Sequence, residues 1–196
     1  MNAPQPFRVL GLPGSLRRSG YNRRLLATAA KISPASLCVE VGDLLDVPLF
    51  DEDLENAHNG APPGARQLRE RVARADGLLI ATPEYNQALP GVLKNALDWL
   101  SRETPDAVLD GKPVAIAGVT SGRWGTRLAQ ADLRRVLTAC GALVMPAPML
   151  FISDAAQAFD EDGLRDQRQR DSLSGLLRAF ARWIDSCRSM RDAAVQ

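Results

Sequence analysis

The sequence predicts an α/β domain, a doubly wound parallel sheet with helices on both faces. Two observations carry this reading. Short apolar runs without polar alternation recur along the chain, as strands buried on both sides require. Between them lie segments whose apolar residues repeat at helical spacing. The chain of 196 residues shows no internal repeat or linker, so a single domain over residues 1–196 is expected.

Taken in order, FRVLGL (residues 7–12) reads as the first strand, followed by a helix from about Tyr21. LCVEV (37–41) is the second strand. Residues 43–64 mix acids, Pro and Gly and read as one long loop, of a length that is usually functional or mobile. A helix over about 65–75 leads into GLLIATP, the third strand. Leu89, Leu93, Ala96, Leu97 and Leu100 then recur at helical spacing. PVAIAGV supplies the fourth strand, residues 126–140 a helix and ALVMPAPMLFI the fifth strand. The last helix begins within DGLRDQRQRDSL and places Leu173, Leu177, Phe180, Ile184 and Cys187 on one face. Five strands alternating with five helices imply an open five-stranded sheet in flavodoxin-like order.

A net charge of +1 gives no electrostatic case for nucleic acid or a membrane surface, so the expected partner is a small molecule. MNAPQP lacks a basic start followed by an apolar run, and no stretch reaches the roughly 18 apolar residues of a membrane helix, so a cytoplasmic protein is expected. Cys38, Cys140 and Cys187 are scattered without metal or redox spacing and read as reduced, packed thiols.

In sheets wound this way ligands sit beyond the carboxyl ends of the strands, where strand order reverses. That rule selects the turns after the first, third and fourth strands: PGSLRRSGYN, TPEYNQALPG and TSGRWGT. In the first, Gly14 and Ser15 allow a tight turn into a helix whose first N–H groups face an anion. Ser15 and Asn22 add a hydroxyl and an amide, and Arg17 adds a planar cation suited to phosphate oxygens. Neither a P-loop nor a G-x-G-x-x-G fingerprint is present, so a phosphomonoester fits better than a magnesium nucleotide. In the second turn Pro83 removes a donor and constrains the chain, leaving the N–H groups of Glu84 to Asn86 free to face a ligand, with the Tyr85 ring beside them.

These residues resemble the NADPH-dependent FMN reductases, a flavodoxin-like group that includes bacterial quinone and chromate reductases and some azoreductases. GSLRRSGYN and PEYNQALPGVLKNALDWLSR carry the resemblance, with the Gly-rich turn after the fourth strand contributing more loosely, over roughly residues 9–137. It implies one FMN per subunit, with its phosphate on Ser15, Arg17 and Asn22 and the amides of Gly20 and Tyr21. The ring would lie along Pro83, Glu84, Tyr85 and Asn86. Ser121 and Gly122 would approach its pyrimidine end, where helix-start N–H groups favour the anionic reduced form. NADPH or NADH would be the cosubstrate, and a quinone, chromate, an azo compound or free flavin the electron acceptor, in a ping-pong cycle. Subunits of this family pair as dimers or tetramers, and Trp99, outside the apolar stripe of its helix, is read as an exposed interface residue. Two departures stand out: Gly20 replaces the family's second Ser, and Trp124 and Thr126 intrude where the family tends to a pair of glycines.

Such chemistry asks the protein to bind and tune the cofactor, so no catalytic side chain or metal ligand is assigned. His58 and the acids of residues 51–55 read as solvated groups of the long loop. Glu84 is read for its backbone amide, with its carboxylate directed away from a ring that gains negative charge. The alternative, a non-catalytic electron carrier of the same fold, would be expected to carry a strongly acidic docking face, which a net charge of +1 does not supply.

Overall fold

In the computed structural model, which describes residues 5–102 and 107–194, the apolar runs form strands β1 (Phe7–Pro13), β2 (Leu37–Val41), β3 (Gly77–Ala81) and β4 (Pro113–Val119). They pair in parallel in the order β2-β1-β3-β4. Consecutive residues of each inner strand serve different cores. Val9, Leu79, Ala81, Ala115, Ala117 and Val119 face one side, where α1 (Tyr21–Ile32) and α7 (Gln167–Ala194) cover them. Leu10, Leu12, Leu78, Ile80, Val114 and Ile116 face the other, under α3 (Pro63–Arg74), α4 (Gly91–Leu100) and α5 (Arg127–Ala139). Burial on both faces is why these strands read as continuous apolar runs.

The fifth strand position is split. β5 (Leu143–Val144) pairs with the beginning of β4 and β6 (Leu150–Ile152) with its end. Pro146 and Pro148 lie between them, and neither residue type can donate to a ladder. The chain then forms a one-turn helix, α6 (Ala155–Ala158), and a hairpin of β7 (Phe159–Asp160) and β8 (Gly163–Leu164) that packs on α1.

The expected long loop is partly helical: α2 (Glu52–Ala57) is capped by the Asp51 carboxylate, which accepts from Asp53 N at 2.9 Å, and α3 already begins at Pro63. The segment before and within α2 is strapped onto α4. Asn95 Nδ2 and Trp99 Nε1 both donate to the Pro48 carbonyl, at 2.8 and 2.9 Å, and Phe50 N donates to Asn95 Oδ1 at 2.7 Å. The Phe50 ring meets Trp99 edge-on at 4.9 Å, and Arg102 pairs with Glu55 at 2.9 Å. Trp99 is therefore 0% exposed. It is no interface residue, because the strap covers the face that helical spacing alone leaves open. From the other side Arg69, itself buried, donates to the carbonyls of Trp99 and Arg102, a cation placed at the carboxyl end of α4.

Of the three cysteines, Cys187 is buried and Cys140 half-buried, whereas Cys38 is exposed on edge strand β2 and is not packed as expected. Burial pushes the Cys140 and Cys187 thiols up from their ordinary range. Among the described residues no helix is long and apolar enough to cross a membrane. The reading of the first residues falls largely on residues 1–4, outside the described residues.

Candidate functional site

The turns after β1, β3 and β4 meet at the carboxyl edge of the sheet because side chains and backbone tie them together there. Gly14 N continues the β1 ladder by donating to Ala81 O at 2.8 Å. Thr82 N donates to Ala117 O at 3.0 Å, after which Pro83 takes the third strand out of the sheet. Residues two apart on a strand point their polar groups the same way, so the N–H and C=O of Val119 face the place that β3 has left. Asn22 fills it. Its Nδ2 donates to Val119 O at 2.9 Å and its Oδ1 accepts from Val119 N at 3.0 Å, so one buried side chain replaces a missing strand. Gly118 leaves room for this convergence: a Cβ there would sit 2.1 Å from Thr126 Oγ1 and 2.5 Å from Thr82 O.

Ser15, Arg17, Gly20, Tyr21 and Asn22 from the first turn, Pro83 and Tyr85 from the second and Ser121 from the third line one cleft of about 130 Å³. Glu84, Asn86 and Gly122 do not line it, and Val119 and Thr120 line it without having been expected. Val119 belongs to a strand end that reads as plain core, and only the Asn22 contact exposes its part, whereas Thr120 opens the third of the selected turns. Gly20 closes the first turn by donating to Arg17 O at 3.0 Å, so its amide is engaged rather than offered to a phosphate. The Asn22 side chain is engaged likewise. Among the described residues the N–H groups of Tyr21, Asn22 and Arg23, the first turn of α1, have no partner. The Arg17 guanidinium lies over the Tyr21 ring, 5.9 Å from its centroid, and among the described residues it makes no ion pair. Tyr21 in turn stacks on Phe159 of the hairpin at 5.9 Å.

In the second turn Tyr85 and Ala88 exchange N–H···O bonds of 3.2 and 3.1 Å around Asn86 and Gln87, both at positive φ (51° and 64°). This is a two-residue hairpin, and it takes up the Tyr85 amide that was expected to face a ligand. The Tyr85 ring is 53% exposed, with its hydroxyl 3.4 Å from Ser15 Oγ across the cleft. The Glu84 carboxylate leaves the cleft and accepts from Leu128 N at 2.9 Å and Ala129 N at 3.0 Å. Helix α5 therefore starts beyond Ser121 and Gly122, and its first amides serve Glu84 rather than a ligand.

The groups whose ionisation is displaced lie outside the cleft. Burial lowers Lys112, with Arg191 adding to it, and burial lowers Arg134. His58 donates from Nδ1 to Leu54 O at the end of α2. Among the described residues no cluster of three His, Cys, Asp or Glu is placed to hold a metal.

A cleft of about 130 Å³ holds only about four waters' worth of liquid. Its walls combine free helix-start amides, a hydroxyl and an unpaired guanidinium. That donor set fits a phosphate monoester. Fold and site together define a flavodoxin-like binder of a phosphorylated cofactor. The chain belongs to the NADPH-dependent FMN reductase family, whose pattern it matches over residues 7–157. It is 41% identical over 179 residues to an NAD(P)H-dependent FMN reductase of Pseudomonas aeruginosa, covering 91% of this chain and 95% of that one. It is 37% identical over 179 residues to a 2-hydroxy-1,4-benzoquinone reductase of a Burkholderia species, covering 91% and 96%. The solved structure of FerB, a flavoenzyme NAD(P)H:acceptor oxidoreductase from Paracoccus denitrificans, superposes with a TM-score of 0.83 at 32% identity over 92% of this chain and 98% of that one. The family is FMN-dependent and uses NAD(P)H, and the chain is an oxidoreductase of that type. The electron-carrier alternative is not favoured.

Proposed function

We propose that this chain holds FMN at the carboxyl edge of its sheet and passes two electrons from NADPH or NADH to a quinone-type acceptor. One observation carries the placement: the free amides of the α1 start, Ser15 and the unpaired Arg17 converge on one small cleft. Bound FMN supplies the redox chemistry, taking hydride from nicotinamide and giving electrons to the acceptor. The protein supplies the rest. Arg17 and the first-turn amides of α1 fix the phosphate, Pro83 and Tyr85 flank the ring, and the open face beside Tyr85 admits cosubstrate and acceptor in turn. The quinones named for relatives favour a quinone over chromate, azo compounds or free flavin.

We further infer a cytoplasmic dimer or tetramer built from one domain per subunit. Trp99 no longer supports the assembly, but Trp124, 69% exposed, and the exposed Leu128 and Met149 are large apolar groups suited to burial between subunits. Light scattering at micromolar concentration should report an oligomer, and a monomer would reject that part. The purified protein should be yellow or take up added FMN, and should bleach on anaerobic addition of NADPH or NADH, then recover with a benzoquinone. A colourless preparation that ignores added FMN overturns the function.

A further inference from the structure

We propose that Glu84 is a positioning residue: its carboxylate serves as the anion at the start of α5 and clamps the β3–α4 turn to the β4–α5 turn, so that the two walls on the ring side of the cleft move together. The role toward flavin rests on the function proposed above, whereas the clamp rests on geometry alone.

Helix α5 cannot satisfy its own start. Its cap Thr126 makes no side-chain bond to the first turn, since Thr126 Oγ1 accepts from Gln130 Nε2 at 2.9 Å, and no acid lies in that turn. The acceptor comes from 44 positions earlier, where Glu84 Oε2 receives both Leu128 N and Ala129 N. A carboxylate on free helix-start amides is favourable both as a charge-assisted hydrogen bond and as a charge on the positive end of the helix. Glu84 stands between Pro83 and Tyr85, which line the cleft on one side, and the helix it holds follows the turn that contributes Thr120 and Ser121 on the other. Among the described residues the other polar link between these segments is long, Leu89 N to Asp132 Oδ2 at 3.5 Å. The clamp also closes the α5 start to any other anion.

Glu84→Ala, Glu84→Gln and Leu128→Pro test this, with FMN and riboflavin as paired probes. Proline is tolerated in a first helical turn and deletes one of the two donors. Glu84→Ala should weaken FMN and riboflavin by the same factor, on the order of tenfold, because the ring side loosens while the phosphate side does not. Glu84→Gln keeps an acceptor oxygen and should recover most of that loss. Leu128→Pro should add little on top of Glu84→Ala, since both break one contact. Unchanged binding in Glu84→Ala, a Gln variant as impaired as Ala, a loss confined to FMN, or additive losses in the double variant would each overturn the clamp. If wild-type protein binds neither flavin, the proposed function fails, and the clamp is still read by thermal unfolding. There Glu84→Ala and Leu128→Pro should lower the midpoint non-additively, and independent shifts would overturn it.

Discussion

Helices α1 and α5 both begin at the carboxyl edge of the sheet, with their first amides directed toward the region where β4 ends. At α1 the cap is Gly20, which has no side chain to offer, no acid lies in the first turn, and the amides of Tyr21, Asn22 and Arg23 are without partners among the described residues. At α5 the amides of Leu128 and Ala129 are bound by a carboxylate brought in from another turn. Each start carries a similar partial positive charge, so each would attract an anion. The difference teaches that an anion site in this fold is made as much by closing one helix start as by opening the other. Of these two starts, Glu84 closes α5 and leaves α1 open to the proposed phosphate, with Arg17 beside it.

The comparison breaks most severely at Asn22. Asn22→Ala removes both bonds to Val119 and leaves a buried N–H and C=O unpaired, which should cost on the order of 2–4 kcal/mol of stability. Urea unfolding measures it, and a loss below about 1 kcal/mol would show that solvent or a rearranged β3 end replaces the side chain. Arg17→Ala sharpens the open side: FMN should weaken by about 1.5–3 kcal/mol, the worth of a hydrogen bond to a charged group, while riboflavin is barely affected. Equal losses for both ligands, measured by fluorescence titration, would move Arg17 away from the phosphate. The smallest effect comes from making α1 resemble α5. Ser19→Asp puts a carboxylate next to the exposed α1 start, which should raise the stability of the flavin-free protein by roughly 0.3–1 kcal/mol and weaken FMN several-fold. Tighter FMN binding in this variant would show that the phosphate does not sit at the α1 start.

The sheet was readable in the sequence because Leu78, Leu79, Ile80 and Ala81, or Val114 to Val119, are buried on both faces and so leave no polar gap. Helix α2 was not, since none of its residues is buried and an exposed helix leaves no apolar period. The split of the fifth strand was not read, although Pro146 and Pro148 within it each lack a ladder donor. Trp99 misled for a related reason: spacing on α4 describes that helix alone, and what covers the indole is Pro48 and Phe50 from a polar segment about fifty positions away. At the site, the residue types were legible and their partners were not. Ser15 and Arg17 lie where the first turn suggested. Asn22 and Glu84 were singled out for the right turns, yet one is committed to Val119 and the other to α5, both far along the chain. Composition and local spacing carry no record of such pairings.

The bond from Asn22 to Val119 spans 97 positions, and it sets an order of events during synthesis. A ribosome delivers the proposed phosphate-binding turn early, within the first few dozen residues, but the edge on which Asn22 rests does not exist until β4 has emerged and paired. Flavin binding at the proposed site therefore waits for β4 and not for the first turn alone. On the proposed function, cofactor then acts as a ligand that stabilises an edge already paired, rather than as a template on which the first turn is shaped.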